Sequence, residues 1–210
     1  MSDVKSKAKK KPVQLPDEDN FNLTFGYTKD LLEIPEEPAD VFLYCEKCAD
    51  WINQEMAKDE ADWDVKRLVT VMGRLAAYLK MLRELDDALD YIETALALIE
   101  QYDLGPQQFI AQSLRWADIL RYRGEFGEAE EVFESVLELC QKIPEAKIYE
   151  DVALQHMGKL NFDLEDYDLA MEFFEKALAL RKIKNDQSLI DSTEMAIEAT
   201  KLKIIGEGES

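Results

Sequence analysis

Three stretches of nine residues constrain the fold of this chain more than any other feature. They read ALDYIETAL, AEEVFESVL and AMEFFEKAL, and they begin at Ala88, Ala129 and Ala170. Each has a bulky side chain four positions after its alanine and a small or slim one three positions further on. The starting alanines lie 41 residues apart in both steps. Self-similarity at a fixed period predicts stacked copies of one supersecondary unit.

Apolar residues recur at helical spacing throughout the chain and predict an all-α fold. Only 8 glycines and 6 prolines among 210 residues favour long helices over a turn-rich sheet protein. Caps and helix breakers predict eight helices. They lie at about 39–57, 59 or 62 to 82, 86–102, 107–123, 126–142, 146–163, 166–183, and 186 or 188 to 205. The stripes that the first two helices should bury are Val41, Cys45, Cys48 and Ile52, and Leu68, Met72, Leu75, Ala76 and Leu79.

The start of the chain has a different composition. Residues 1–14 carry five lysines and almost no apolar side chain, which predicts a disordered basic tail. Such a run could touch RNA weakly, or it could be a solubilising leader. Residues 15–38 should form an extended N-terminal segment, because apolar and polar residues alternate from Phe21 to Tyr27 and three prolines discourage a helix.

The formal net charge of −20 keeps such a chain soluble and argues against nucleic acid or an anionic membrane as a partner of its general surface. No run approaches the roughly 18 apolar residues of a membrane span, and the lysine-rich start lacks the apolar core of a signal peptide. Three cysteines, an odd number, do not suggest a disulfide framework. A cytoplasmic protein without a membrane partner is the simplest interpretation.

Each repeated helix follows another predicted helix, and the pairs resemble tetratricopeptide repeats. Trp116 and Ala117 precede the stretch that begins at Ala129, and Met157 and Gly158 precede the third stretch. The resemblance covers about residues 66–205 and implies a right-handed superhelix of antiparallel helix pairs, a tetratricopeptide-like α-solenoid. The implied parts of the domain at 39–205 are an N-terminal helix, three repeats at about 66–104, 107–145 and 146–186, and a capping helix at 187–205, followed by a tail at 206–210.

The period of 41 residues exceeds the usual 34 of this family. It resembles the extended repeats of kinesin light chains and of certain bacterial peptide-sensing regulators. The asparagine ladder of those proteins is missing here, because the equivalent positions hold Arg74, Arg115 and His156. Their specific ligands are therefore not expected.

The last helix should close the solenoid. We expect Met195, Ala199 and Leu202 to face inward, which would leave a polar outer face that opposes end-to-end stacking. A homodimer formed through the N-terminal segment remains an alternative.

In the family, the first helix of each pair lines a concave groove that takes peptides. A basic middle of this groove, on so acidic a chain, could hold an acidic segment or a C-terminal carboxylate, with Arg115 and Arg121 as bidentate donors. Alternatively, these arginines pair with acids of the chain itself, such as Asp118 and Asp163. The groove residues implied by the resemblance are Arg74, Lys80, Arg115, Asp118, Arg121, Tyr122, His156, Lys159, Phe162 and Ile197.

The far end of the expected groove is apolar. Phe162, Ile197 and Ile204 would form an exposed patch unless something covers them. One hypothesis places residues 21–27 of the same or a neighbouring chain in or beside the groove. The alternative is that these residues pack only against the first helix.

Few residues have a spacing that indicates a metal site or a catalytic site. Cys45 and Cys48 have the spacing of half a zinc site, which Cys140 and His156 could complete. A second closely spaced pair is missing, and both residues lie on a predicted apolar stripe, where cysteine is common. His156 is the only histidine, and an open groove supplies neither a nucleophile nor a second carboxylate in a dry pocket. We expect no metal, no cofactor and no catalysis.

These features predict a non-catalytic adaptor that binds a peptide or protein segment in the concave groove, and the basic residues there favour an acidic one. Two other functions remain open. One is a dedicated chaperone for a secreted or membrane-bound client, and the other is a regulator that senses a short peptide or a small ligand.

Overall fold

Helices make up most of the structure, a computed structural model that describes residues 13–208. Consecutive helices pack in antiparallel pairs, as in an all-α repeat solenoid. Within the described range no helix is both long and apolar enough to cross a membrane. The helices are α1 (Pro38–Met56), α2 (Val65–Leu82), α3 (Leu85–Gln101), α4 (Pro106–Arg123), α5 (Phe126–Lys142), α6 (Glu150–Asp163), α7 (Tyr167–Lys184) and α8 (Gln187–Gly208). Most of the predicted basic tail, residues 1–12, lies outside the described residues.

Local cues set the helix ends. The side chains of Asp64 and Asp166 cap α2 and α7, each accepting a backbone N–H three residues further on. Gly124 ends α4 in the left-handed conformation, with φ at 79°. Arg83 and Asn185 adopt the same conformation after α2 and α7. Each residue turns the chain sharply into the next helix.

The three repeated stretches lie in α3, α5 and α7 and supply the centre of the core. Their starting alanines are completely buried, and so are the bulky residues Ile92, Phe133 and Phe174. Gly158 on α6 shows why small residues are needed at these crossings. A methyl group added at Gly158 would lie 2.5 Å from the ring of Phe174, so only a bare backbone lets the two helices come this close.

Three helix boundaries differ from the prediction. A 3-10 helix forms at Glu60–Asp62, and α2 begins at Val65 instead of near residue 59 or 62. Pro144–Tyr149 forms a 3-10 helix, and therefore α6 begins at Glu150 instead of near residue 146. At the other end α8 continues through Gly206 to Gly208, because a single glycine weakens a helix without ending it.

The prediction for the inward face of α8 is wrong for two of its three residues, while the third, Ala199, packs against the core. Met195 and Leu202 are 38% and 71% exposed, and the buried side includes Thr193, Ala196 and Thr200. The two threonines donate their hydroxyl hydrogens to carbonyl oxygens of the preceding turn, at 2.9 and 2.8 Å. This bond satisfies the hydroxyl in the core, so a residue that counts as polar in a periodicity argument is buried. The outer face of α8 is consequently less polar than expected.

The chain before α1 contains a hairpin. After a 3-10 helix at Glu18–Asn20, β1 (Phe25–Tyr27) pairs antiparallel with β2 (Glu33–Pro35). The hydroxyl oxygen of Thr28 accepts the backbone N–H groups of Asp30 and Leu32 and so holds the turn together. We call residues 25–35 the N-terminal hairpin. Its second strand packs against α2.

Candidate functional site

The inner faces of α2, α4 and α6 adjoin one another and form what we call the concave surface. Arg121 of α4 is completely enclosed there, and its Nε donates to Asp118 Oδ1 at 2.9 Å. Its Nη1 donates to Asp163 Oδ2 of α6 at 2.5 Å. Lys80 of α2 donates to the other oxygen of Asp118. For Arg121, therefore, the structure shows the alternative in which the arginine pairs with acids of its own chain.

The N-terminal hairpin contributes a carboxylate to this network. Glu33 Oε2 lies 2.8 Å from Lys80 Nζ, and Glu33 Oε1 lies 3.3 Å from Lys159 Nζ. The backbone N–H of Glu33 donates to the hydroxyl oxygen of Tyr122 at 2.7 Å. Glu33 is thus fixed through both its side chain and its backbone.

The network is charged at neutral pH. Burial raises the pKa of Glu33, but Lys80 and Lys159 outweigh burial and lower this pKa to about 2. Burial also opposes ionisation of Asp118, yet Lys80 and Arg121 hold its pKa well below the usual value. Each buried carboxylate therefore has at least two cations around it, which is the condition under which buried charges are tolerated.

His156 has a different role from the charged residues. Burial lowers its pKa below the ordinary value, although Asp118 acts in the opposite direction. Its ring stacks on Phe133, with centroids 5.4 Å apart, and its Nδ1 lies 3.3 Å from Asp118 Oδ1. The imidazole is therefore neutral near pH 7 and packs as part of the wall of the concave surface.

The hairpin also covers the apolar far end of the concave surface. Leu31, which is 1% exposed, lies in one buried cluster with Phe162 and Ile197. Ile204, predicted for the same patch, remains 37% exposed. Only part of the expected apolar patch is thus available at the surface.

Residues 21–27 were predicted either to lie in or beside the groove or to pack only against the first helix. The structure shows part of the segment in each place. Phe21 packs against Tyr44 of α1, with ring centroids 5.4 Å apart. Tyr27 lies in the concave surface, where Lys159 Nζ is 4.9 Å from the centre of its ring. The most deeply buried residues of the hairpin, Leu31 and Glu33, come after the stretch that we predicted to enter the groove.

Next to Glu33 the concave surface retains an open pocket of about 320 Å³, which we call the Arg115 pocket. Arg115 Nη1 donates to the carbonyl oxygen of Ala111 at 3.0 Å and to Gln112 Oε1 at 3.3 Å. No carboxylate among the described residues forms an ion pair with Arg115, and burial lowers its pKa. Leu114 and Val152 form an apolar part of the pocket wall. The pocket therefore places a guanidinium that has no carboxylate partner among the described residues beside apolar side chains, and its lining also includes the ion-paired carboxylates of Glu33 and Asp118.

Two other predicted groove residues, Arg74 and Tyr122, contact charged side chains of the same chain. Arg74 forms an ion pair with Glu18, which precedes the hairpin. Tyr122 has three cations around its ring, with Lys80 Nζ and Arg83 Cζ each 4.6 Å from its centre. The structure thus brings most of the predicted residues together on the concave surface, and Arg115 is the predicted cation without an ion-pair partner among the described residues.

Sequence reasoning missed Glu33. A glutamate in a loop-like segment is normally solvated, so periodicity gives no reason to bury it. The one available signal is its context, because Glu33 interrupts the apolar run from Leu31 to Pro35. Its partner Lys80 lies on α2, 47 residues further along the chain, and no local spacing connects the two.

The candidate zinc ligands are not brought together. Cys45 and Cys48 lie in the core cluster around α1 to α3, whereas Cys140 lies in the next cluster along the chain. Burial raises the pKa of Cys45 to about 12 and that of Cys48 to about 11. In the part of the chain that the structure describes, no three His, Cys, Asp or Glu residues are grouped as metal ligands. The buried thiols are packing residues.

Comparisons with known proteins agree with this architecture. Among solved structures, BtubC (BKLC) from P. vanneervenii is similar, with a TM-score of 0.56 and 16% identity over 82% of this chain and 76% of that one. At this identity the likeness concerns the fold alone. No curated protein matches the sequence. A family model of the tetratricopeptide repeat matches residues 107–183. The helix pairs at residues 107–183 are therefore tetratricopeptide repeats.

Proposed function

We propose that this chain is a non-catalytic adaptor that binds a carboxylate-bearing segment of a protein partner in the Arg115 pocket. Tetratricopeptide repeats suggest a protein-interaction module. The observation that carries the proposal is that Arg115 lines an open pocket without a carboxylate partner among the described residues. A guanidinium held by only two hydrogen bonds to its own helix retains donors for a bidentate carboxylate.

The N-terminal hairpin supports this choice of ligand. It places a carboxylate and an extended backbone on the same concave surface, where Lys80 and Lys159 hold Glu33. The surface therefore has the chemistry to accept an acidic side chain or a chain terminus from an extended segment. Leu114 and Val152 would contact an apolar side chain next to that carboxylate.

The test compares two substitutions that remove the same charge. Arg115→Gln removes the guanidinium that lines the pocket, and Lys47→Gln removes an exposed cation of α1. Arg121 is unsuitable as a probe because its loss would leave Asp118 and Asp163 unpaired in the core. Proteins captured from native lysate by the whole chain are quantified by mass spectrometry, and the segment bound is then mapped by crosslinking.

We expect Arg115→Gln to lower capture of the partner about tenfold or more, as loss of a buried charge-assisted contact does, and Lys47→Gln to leave it unchanged. Substituting the acidic residue of the crosslinked partner segment should have the same effect as Arg115→Gln. Equal capture by both variants would exclude the Arg115 pocket. A bound client that is unfolded, instead of a folded component of a complex, would favour the chaperone alternative.

A further inference from the structure

We propose a second binding surface, for a protein segment that presents apolar side chains next to lysine or arginine. The surface is a groove of about 910 Å³ between residues 18–27 and the first half of α8, which we call the α8 groove. The α8 groove and the Arg115 pocket have no lining residue in common. The inference therefore does not depend on the proposed function.

The floor of the α8 groove is apolar. Phe21, Leu23 and Phe25 line one side, and Leu189 and Met195 of α8 line the other. Phe25 is 41% exposed and Met195 38% exposed. Half-exposed aromatic and methionine side chains that face each other across a groove form a surface suited to docking, since methionine adapts to varied apolar partners.

The rim selects the partner by charge. The charged lining residues are Glu18, Asp19 and Asp191, and none of the described lining residues is basic. Arg74 partly neutralises Glu18, whereas Asp19 and Asp191 have no ion-pair partner among residues 13–206. With a net charge of −20 on the whole chain, the groove repels phosphate groups and acidic segments and attracts cationic ones.

The groove is large enough for several side chains of a peptide segment. Its volume lies near the upper end of the about 300–1,000 Å³ typical of small-ligand pockets. Apolar side chains of a helical or extended segment would lie on Phe25 and Met195, and flanking lysine or arginine side chains would reach Asp19 and Asp191. One bound segment would thus contact both the apolar floor and the acidic rim of the groove.

The probe is a fluorescent synthetic peptide of leucine and lysine with leucines at helical spacing, and its affinity for the whole chain is measured by anisotropy near physiological salt. Two control peptides replace all lysines by glutamate or all leucines by serine. Asp19→Lys with Asp191→Lys reverses the rim. Glu46→Lys with Asp50→Lys makes the same charge change at two exposed positions of α1.

We expect the rim variant to weaken binding of the leucine–lysine peptide at least tenfold and the α1 variant less than twofold. Met195→Gln, which leaves the charge unchanged, should weaken it at least threefold, and Arg115→Gln should leave it within twofold. The serine peptide should bind at least tenfold more weakly than the leucine peptide. Thermal melts of each variant check that the fold is retained.

Several results would overturn the proposal. Equal weakening by the rim and α1 variants would show only general attraction of a cationic peptide to an acidic protein. If Met195→Gln bound the peptide as tightly as the wild type does, the apolar floor of the groove would not contribute to binding. A gain of tenfold or more on deleting residues 1–12 would show that the chain's own lysines occupy the groove in place of an external partner.

Discussion

Glu33 and Lys80 lie 47 residues apart in the chain, yet Lys80 Nζ contacts Glu33 Oε2 at 2.8 Å inside the concave surface. Lys159 of α6 contacts the other carboxylate oxygen. One carboxylate of the N-terminal hairpin therefore links α2 with α6 across α4. The hairpin is held by this ionic contact and by the burial of Leu31, because two short strands alone have little stability.

Removing this carboxylate should weaken the attachment of the hairpin. Glu33→Gln leaves the buried ammonium of Lys80 with less compensation, and the loss of one partner from a buried ion pair costs about 3 kcal/mol or more. Urea unfolding at pH 7 measures the change in the free energy of unfolding, and hydrogen exchange of the amides at 25–35 should become faster. Glu131→Gln, at an exposed position of α5, should change stability by less than about 0.5 kcal/mol. Equal effects of the two substitutions would contradict this role of Glu33.

Acid should abolish the contribution of Glu33. Its folded-state pKa is about 2, below the ordinary value of 4.5. A carboxyl group with a lower pKa in the folded state contributes stability that is fully present above about pH 4.5 and is lost as the pH falls through 2. The difference in unfolding free energy between the wild type and Glu33→Gln should shrink by about 3 kcal/mol from pH 6 to pH 2. Carboxylates remote from Lys80 and Lys159 titrate alike in both proteins and cancel in this difference, so a difference independent of pH would mean that Glu33 is not ion-paired.

The repeated part of the fold could be predicted because its determinants are local and recur. The alanine of each repeated stretch and the bulky residue four positions later lie on one face of a helix, and this spacing is visible in the chain. The buried stripes of α1 and α2 have the same origin, and each residue predicted for them is buried. Repetition also identifies the helix that precedes each stretch as its packing partner.

The site could be predicted only in part. The resemblance indicated the helices that contribute its residues, but it could not show which cations have partners. Arg121 and Arg115 lie two turns apart on α4. Only the tertiary structure shows that the first pairs with carboxylates and that the second pairs with none in residues 13–208. Thr193 and Thr200 illustrate the same limit, because a hydroxyl that bonds its own helix is buried against the hydrophobic pattern.

Arg181 holds the last three helices together, and a lysine should not replace it. Its Nε donates to Asp151 Oδ2 on α6 at 3.0 Å, and its Nη1 donates to Ser192 Oγ at 3.2 Å and Thr193 Oγ1 at 2.6 Å on α8. The ammonium of Arg181→Lys cannot reach both helices as the planar guanidinium does. Unpaired buried groups should then lower the free energy of unfolding by about 1–3 kcal/mol in urea titrations.

The neighbouring Lys182 supplies a matched control for Arg181. It forms an exposed ion pair with Glu194 at 3.5 Å, a kind of contact that contributes little to stability. Lys182→Gln should therefore change the free energy of unfolding by less than about 0.5 kcal/mol. If Arg181→Lys had an equally small effect, the link between α6 and α8 would not depend on the guanidinium.

Two glycines in helices test whether close approach at the repeated crossings is required. Alanine at Gly158 would place its methyl carbon 2.5 Å from the ring of Phe174, whereas a methyl group at Gly127 of α5 would have no heavy atom within 4 Å. Alanine gains about 1 kcal/mol over glycine within a helix, so Gly127→Ala should be neutral or stabilising. At Gly158 overpacking should outweigh this gain and destabilise the protein by about 1–3 kcal/mol. Thermal and urea unfolding of both variants measure the difference in stability.

If Gly158→Ala were as stable as Gly127→Ala, then α6 and α7 could separate without cost. The small residues of the repeats would then not be needed for packing.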